Sequence, residues 1–286
     1  MAIGDITLTS SMRSNLVSLQ ETDKLLGRTQ ERLSTGKKVN SAIDNPTNFF
    51  AARTHSQRAD LLTGLKDNIS EAVQTVKAAD KGVTAINSMI EAIRGVVTQA
   101  RSALNSQTSA TELSGLAVQY NELVRQINNI EQDASYKGVN FLAGSSVTLT
   151  VNFNEEATTS LVMSGFTATS SGLAISGGTA TGSGSITSGN LSSASGLNSI
   201  ESTLNGALAS LRTESGKLAA NLAVLSTRQQ FIVDMVNTLA EGATKLTVAD
   251  TNEEGANMLL LQTRQQLGTT ALSLSAQANS AVLRLF

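Results

Sequence analysis

The feature that most constrains this chain is a heptad pattern that continues without a break for about six repeats. Apolar residues recur at alternating spacings of three and four, from Leu62 to Leu104. At 1.5 Å per residue this stretch predicts a helix roughly 65 Å long. The stripe comprises Leu62, Leu65, Ile69, Ala72, Val76, Ala79, Val83, Ile86, Ile90, Ile93, Val97, Ala100 and Leu104. A strict 3.5-residue period requires partner helices that cover the stripe and supercoil with it.

The same pattern returns twice along the chain. It runs from Leu113 to Ile130 and again from Leu197 to Leu239. In the second of these stretches Ser215 and Gln229 occupy positions on the apolar seam. A polar seam residue lowers stability but can fix the register of the helices.

Both ends of the chain carry further helical patterns. At the N-terminal end Met12, Leu16, Leu19, Leu26 and Leu33 fit a heptad stripe in which Asp23 and Gln30 fall on seam positions. From about residue 257 onwards the apolar residues lie on several helix faces, which predicts burial on several sides. We expect the two end helices to pack together, with four N-terminal leucines facing C-terminal ones. The set comprises Leu16, Leu19, Leu26, Leu33, Leu267, Leu274, Leu283, Leu285 and Phe286.

Between Gly144 and Gly196 more than half of the residues are Ser, Thr or Gly. Alternating apolar residues from Val147 to Phe153 predict a strand, and residues 161–166 predict its partner. Such a stretch has too few apolar residues to fold alone. The sequence therefore predicts a mainly α protein, a long antiparallel coiled-coil or bundle rod with a small β-rich insertion at its tip.

The composition gives little support to catalysis or to nucleic-acid binding. There are 21 Lys and Arg against 23 Asp and Glu, so the chain lacks the basic excess that phosphate binding requires. The chain has no cysteine and one histidine, His55, which we interpret as a polar helix position. No apolar run approaches the roughly 20 residues of a membrane helix. We therefore predict no catalytic, cofactor or metal site, and neither a nucleic-acid nor a membrane partner.

Three stretches then resemble bacterial flagellins. Residues 32–46 are similar to the N-terminal motif of that family, although Asn45 and Pro46 stand where a second acid and a small residue are commoner. Residues 133–142 are similar to the turn before the family's variable region, and the stretches around Asp250, 262–266 and 276–286 to its C-terminus. The motif residues are Arg32, Gly36, Asn40, Ser41, Asp44, Gly138, Asp250, Gln277 and Asn279.

The resemblance implies a subunit that polymerises into the flagellar filament for motility. It implies export through the flagellar type III apparatus, assembly at the distal tip, and an extracellular location. A filament cap, hook–filament junction proteins and a secretion chaperone are the partners implied besides other copies of the chain. The expected organisation is a filament-core helix at 1–40, rod segments at 41–143 and 197–245, a variable insertion at 144–196, and a second core helix at 246–286.

Two other interpretations remain open on sequence alone. A hook–filament junction protein of the same superfamily would share both ends of the chain but serve as an adaptor in few copies. A secreted coiled-coil adhesin would have ends that are dispensable for oligomerisation. Growth of long filaments separates the flagellin reading from both.

Overall fold

The computed structural model describes residues 10–106, 110–175 and 186–283. These residues are mainly helical, which confirms the predicted fold class. They form α1 Ser10–Thr35, α2 Pro46–Asn105, α3 Ala110–Asp133, β1 Thr148–Asn152, β2 Ser160–Ser164, α4 Ser188–Leu191, α5 Ala194–Thr247 and α6 Thr251–Leu283. The chain divides into two compact units, Asp60–Val236 and the combination of Met1–Ala59 with Asn237–Phe286. We call these the central unit and the terminal unit.

The heptad stripe of α2 forms the core of the central unit, as predicted. Every stripe residue from Ile69 to Ala100 is buried, and only Leu65 and Leu104 near its ends are partly exposed. On α5 the matching core consists of Leu197, Ile200, Leu204, Ala207, Leu211, Leu218, Leu225 and Ile232. Burial of this many apolar side chains at about 25 cal/mol per Å² is the main stabilising contribution in the unit.

The two polar seam residues of α5 hydrogen-bond across to α2. Gln229 donates from Nε2 to the Ser70 hydroxyl at 2.9 Å, and the Ser215 hydroxyl donates to Asp80 Oδ1 at 3.4 Å. Because low-numbered residues of α2 meet high-numbered residues of α5, the two helices are antiparallel. These bonds satisfy the polar seam positions in a single register, as expected of a heptad seam.

The β insertion does not lie at the tip that the sequence predicted. Helix α3 runs back along α2, so the Tyr136 hydroxyl reaches Glu71 Oε2 at 3.2 Å before the strands begin. Strand β1 then lines a 340 Å³ cavity together with residues of α2 between Leu65 and Thr75. The prediction was wrong because the return of α3 carries the chain some thirty residues back from the end of α2 at Asn105 before the strands start.

The strands themselves agree with the prediction. β1 and β2 pair antiparallel, with Val151 opposite Leu161 and Leu149 opposite Met163. Val151 and Met163 are buried, whereas Thr150 and Val162 on the other face are exposed. The guanidinium of Arg228 on α5 lies 5.0 Å from the centre of the Phe153 ring. A two-stranded hairpin is marginal by itself, so its stability depends on these contacts with the helices.

Candidate assembly surface

The terminal unit is built around an antiparallel pair of helices, α1 and α6. Arg32 near the end of α1 contacts Glu254 near the start of α6, with Nη1 and Oε1 2.9 Å apart. Further along the pair Gln265 donates from Nε2 to Asp23 Oδ1 at 3.4 Å. Helices α1 and α6 therefore pack against each other with opposite polarity.

The seam between these helices is made from smaller and more polar residues than the sequence suggested. On α1 it contains Leu16, Leu19 and Leu26 together with Thr22 and the buried Thr29, rather than Asp23 and Gln30. On α6 the less exposed positions are Glu254, Met258, Leu261, Gln265, Gly268, Leu272 and Ser275. A Cβ placed on Gly268 would lie 2.5 Å from Leu19 Cδ1, so this glycine receives the leucine side chain.

The leucines expected to face α1 point the other way. Leu267 and Leu274 are 65% and 67% exposed, and Leu33 on α1 is also exposed. The prediction that Leu267 and Leu274 face the N-terminal leucines was wrong, because smaller and more polar residues of α6 occupy the seam. Leu260, Leu267 and Leu274 follow one another at seven-residue intervals on the outer face of α6. We call these three leucines the outer stripe. Val17, Leu25 and Leu259 are further exposed apolar residues of this helix pair.

Arg32 and Glu254 form the one ion pair that links α1 to α6 in the described residues. The Glu254 side chain keeps only 9% of its surface exposed, against 32% for Arg32. A carboxylate so buried requires a charged partner, because leaving it unpaired in the protein interior is costly. The motif residue Arg32 therefore fixes how the end of α1 meets the beginning of α6.

The two linkers of the terminal unit are joined by backbone hydrogen bonds. Gly36 follows the last residue of α1 with φ at +67°, a left-handed conformation in which glycine commonly ends helices. Its carbonyl accepts from Ala249 N–H at 2.9 Å, and Lys38 N–H donates to the Thr247 carbonyl at 2.8 Å. The motif glycine thus turns the chain from α1 onto the linker between α5 and α6.

Three further motif residues build a tight turn before α2. Asp44 Oδ2 accepts hydrogen bonds from Ser41 N–H at 2.9 Å, from Asn40 N–H at 3.0 Å and from the Ser41 hydroxyl at 3.1 Å. The backbone donors of Ser41 and Asn40 hold the pKa of the Asp44 carboxyl below its usual range. Asp44 N–H also donates to the Ser41 carbonyl at 3.2 Å. This turn presents Ile43, whose surface is 94% exposed.

Asp250 caps the first turn of α6. Its Oδ1 accepts from Asn252 N–H at 2.9 Å and from Glu253 N–H at 3.3 Å, which satisfies amide groups that have no partner within the helix. Asp250 therefore stabilises the start of α6 through its side chain. In the described residues no group of three His, Asp or Glu side chains is placed to hold a metal ion.

The motif residues near the C-terminus lie on α6 or beyond it. Gln277 is an exposed residue of α6, and its carbonyl accepts from the Ser280 hydroxyl at 2.8 Å. Asn279 and Leu283 belong to the helix, but their side chains lie outside the described structure. Leu285 and Phe286 lie outside the described residues altogether.

Gly138 belongs to the central unit and forms a reverse turn after α3. Lys137 and Gly138 have φ of 49° and 81°, and Tyr136 and Val139 exchange two backbone hydrogen bonds of 2.9 Å. Positive φ at both central positions is typical of a type I′ turn, for which glycine is favoured. Lys137 Nζ lies 2.7 Å from Glu71 Oε2, so the turn is attached to α2.

The sequence analysis missed the residues on the α6 side of the α1–α6 seam. The three-and-four spacing of positions 254, 258, 261, 265, 268, 272 and 275 carries the signal, but Gly268 and Ser275 interrupt its apolar character. The neighbouring leucines of the outer stripe form a more obvious pattern on another face. The Arg32–Glu254 pair leaves no local trace in the sequence, because its partners are 222 residues apart.

No helix among the described residues is long and apolar enough to span a bilayer. The model of the bacterial flagellin N-terminal helical region matches residues 6–147. Flagellin FljN of Caulobacter vibrioides is 28% identical over 286 residues and covers 100% of both chains. A flagellin of Brucella melitensis is 28% identical over 289 residues, covering 99% of each chain, and flagellin B of Rhizobium meliloti is 35% identical over 32% of this chain and 24% of its own. The motifs, the helical architecture and these similarities together confirm the predicted resemblance of the chain to bacterial flagellins.

Proposed function

We propose that this chain is the repeating structural subunit of a flagellar filament and that copies bind one another through the outer stripe of α6. The observation that carries the proposal is the exposure of Leu260, Leu267 and Leu274 at seven-residue intervals. Similarity to flagellins along the whole chain supports a structural rather than a catalytic role.

The spacing of the outer stripe indicates what covers it. Leucines repeated every seven residues lie on one side of a helix and fit a partner helix in a left-handed supercoil. In one copy, α1 packs against the other seam of α6, so the partner helix must come from a neighbouring copy. An interface between different surfaces of successive copies does not have to close into a ring, and it generates a helical filament.

The predicted assembly residues take two roles in this proposal. Leu16, Leu19 and Leu26 hold α1 against α6 within one copy, whereas Leu33, Leu267 and Leu274 face neighbouring copies. Leu283, Leu285 and Phe286 extend the apolar C-terminal end and are assigned to assembly from sequence alone. The same helix is the proposed contact for a secretion chaperone, because an apolar stripe needs protection before assembly.

The remaining parts of the proposal follow from the family. We assign the chain to the extracellular filament, reached through the flagellar export apparatus, with addition of subunits at the distal end. A filament cap and hook–filament junction proteins are the proposed partners at the two ends. Neither nucleic acid nor membrane is a proposed partner.

The test is seeded polymerisation of purified monomer carrying Leu274→Ser, with Val118→Ser as its matched control. Leu274 and Val118 are both 67% exposed, but Val118 lies on α3 in the central unit. We expect Leu274→Ser to raise the critical monomer concentration at least about tenfold, since burial of a leucine is worth about 1.5–3 kcal/mol. The control should polymerise like the parent chain.

Two results would contradict this proposal. Equal polymerisation by the Leu274→Ser variant would remove the outer stripe from the interface. A parent chain that stays monomeric with seeds present would instead favour the junction-protein or adhesin reading. Electron microscopy of the seeded samples distinguishes long filaments from seeds that carry only a few added subunits at their ends.

A further inference from the structure

The turn at residues 40–44 displays a large apolar side chain that the proposed contact of the outer stripe does not use. Ile43 is 94% exposed, the highest value among the exposed large apolar residues of the described chain. Its backbone is held by the Asp44 side chain, which accepts three hydrogen bonds from Asn40 and Ser41. A rigid turn can bury an apolar side chain in a partner at little cost in conformational entropy.

The terminal unit also contains a groove with complementary chemistry. Its cavity of 580 Å³ has Val39, Phe49, Ala52, Ala240 and Ala243 among the residues that line it. Ile43 is not one of the lining residues, so the groove of a given copy does not receive its own isoleucine. Apolar side chains surrounded by a polar rim are the usual composition of a protein-binding groove.

The charges around the two features are also complementary. Lys37 and Arg53 line the groove, and in the described part of the chain neither forms an ion pair with an acidic side chain. Asp44, next to Ile43, uses Oδ2 for its hydrogen bonds within the turn. The Asp44 carboxylate therefore places a negative charge next to Ile43. This charge would meet the positively charged rim when Ile43 enters the groove. Such complementarity fixes the orientation in which two surfaces meet.

We propose that Ile43 of one copy inserts into the groove at Phe49, Ala52 and Ala243 of a neighbouring copy in the filament. This contact rests on the proposed filament function and adds a second interface, distinct from the outer stripe. The Ile43 turn and the groove are different surfaces of the terminal unit. Each copy therefore gives one contact to a neighbour and receives one from another. Repetition of such a head-to-tail contact extends a polymer without closing it.

A disulfide test is direct because the chain has no cysteine. Thr244 lines the groove, so filaments of the Ile43→Cys, Thr244→Cys double variant should give a ladder of covalent multimers after mild oxidation. Disulfides require Cα atoms less than about 7 Å apart, so the ladder reports close contact. Each single variant should stay monomeric on a denaturing gel, and the double variant oxidised as a monomer should give no ladder.

A second measurement gives the strength of the contact. We expect Ile43→Ser to raise the critical concentration for seeded growth about tenfold, while Ile43→Leu and the exposed control Val162→Ser leave it unchanged. Because Ile43 is almost fully exposed, the serine variant should unfold at the same temperature as the parent monomer.

The outcomes separate this inference from the proposed function. If the parent chain grows filaments but the double variant gives no ladder, the proposed contact between Ile43 and the groove is wrong and the filament function stands. Covalent dimers from Ile43→Cys alone would also overturn it, because they would place two turns against each other. If the parent chain grows no filaments, both the function and the contact are wrong.

Discussion

The α2–α5 pair in the central unit and the α1–α6 pair in the terminal unit use the same helical repeat with different side chains. On α2 the seam from Ile69 to Ala100 is apolar and buried throughout. The α1–α6 seam includes Thr22, Gln265 and Gly268, while Leu267 and Leu274 face solvent. A helix whose large apolar residues lie outside its intrachain contact depends on another chain for much of its stabilisation. The comparison shows that α2 buries its large apolar residues within one copy and that α6 leaves its own exposed, which supports our proposal that assembly completes the terminal pair.

The largest expected effect is the difference in stability between two variants that each lose one large apolar side chain, one from α2 and one from α6. Ile90→Ala should lower the free energy of unfolding of the monomer by about 2–5 kcal/mol, because Ile90 is fully buried. Leu267→Ala should change it by less than about 0.5 kcal/mol, since the side chain is exposed. Denaturant titration of both monomers measures the difference. Similar losses in the two variants would show that Leu267 contributes as much to the stability of the monomer as the buried Ile90 does.

A smaller effect is expected from adding one methyl group to a glycine in each pair. A Cβ on Gly82 of α2 would lie 2.8 Å from Ala134 Cβ and 2.9 Å from Leu142 Cδ2. Gly82→Ala should therefore cost about 1–3 kcal/mol. In α6 the Cβ of Gly268→Ala would meet only the flexible end of Leu19, so a shift of that side chain offsets most of the cost.

Gly95→Ala is the control for this pair of variants. Gly95 lies on α2 with no atom within 4 Å of an added Cβ, so alanine should raise stability by up to about 1 kcal/mol. Thermal unfolding of the three monomers gives the order Gly95→Ala, Gly268→Ala, Gly82→Ala from most to least stable. A Gly268→Ala variant as unstable as Gly82→Ala would show that the α1–α6 seam is packed as tightly as the contact of α2 with Ala134 and Leu142.

The smallest expected effect concerns a buried carboxyl in the central unit. Glu131 on α3 is buried, and this burial raises the pKa of its carboxyl. The ionised form is therefore disfavoured by folding, and the penalty disappears as pH falls through the folded pKa towards the ordinary glutamate value of about 4.3. Glu131→Gln should raise the free energy of unfolding by about 1 kcal/mol at pH 7.

The pH dependence is the internal control for the glutamine variant. The difference between Glu131→Gln and the parent chain should shrink when unfolding is measured at pH 4. A difference that is constant between pH 7 and pH 4 would show that glutamine acts through packing rather than through the removal of a buried charge.

Much of the central unit could be predicted from the sequence because its signals are local and periodic. The stripe from Leu62 to Leu104 specifies both the helix and its buried face, and alternation between Val147 and Phe153 specifies β1. The position of the hairpin could not be predicted, since it depends on the return of α3 and on the Lys137–Glu71 contact. Local periodicity carries no information about such distant contacts.

The structure of the terminal unit could be predicted in part. The motif residues Gly36, Asp44 and Asp250 were identified by resemblance, and the structure gives each of them a backbone role in a helix end or a turn. The prediction for the face of α6 that meets α1 was wrong, because the most apolar face of this helix is not its intrachain seam. In a polymer-forming chain the most apolar face can belong to the interface with a neighbour, as we propose for the outer stripe.

Hydrogen exchange of the same chain as monomer and as filament measures whether assembly completes the α1–α6 helix pair. Amide exchange reports the free energy of local opening, so it compares the two helix pairs under one condition. We predict that amides of α6 between Leu259 and Leu274 exchange at least about a hundredfold more slowly in the filament than in the monomer. Amides of α2 between Val83 and Val97 should be strongly protected in both. Equal protection of the α6 amides in monomer and filament would show that assembly does not stabilise α6, contrary to our proposal.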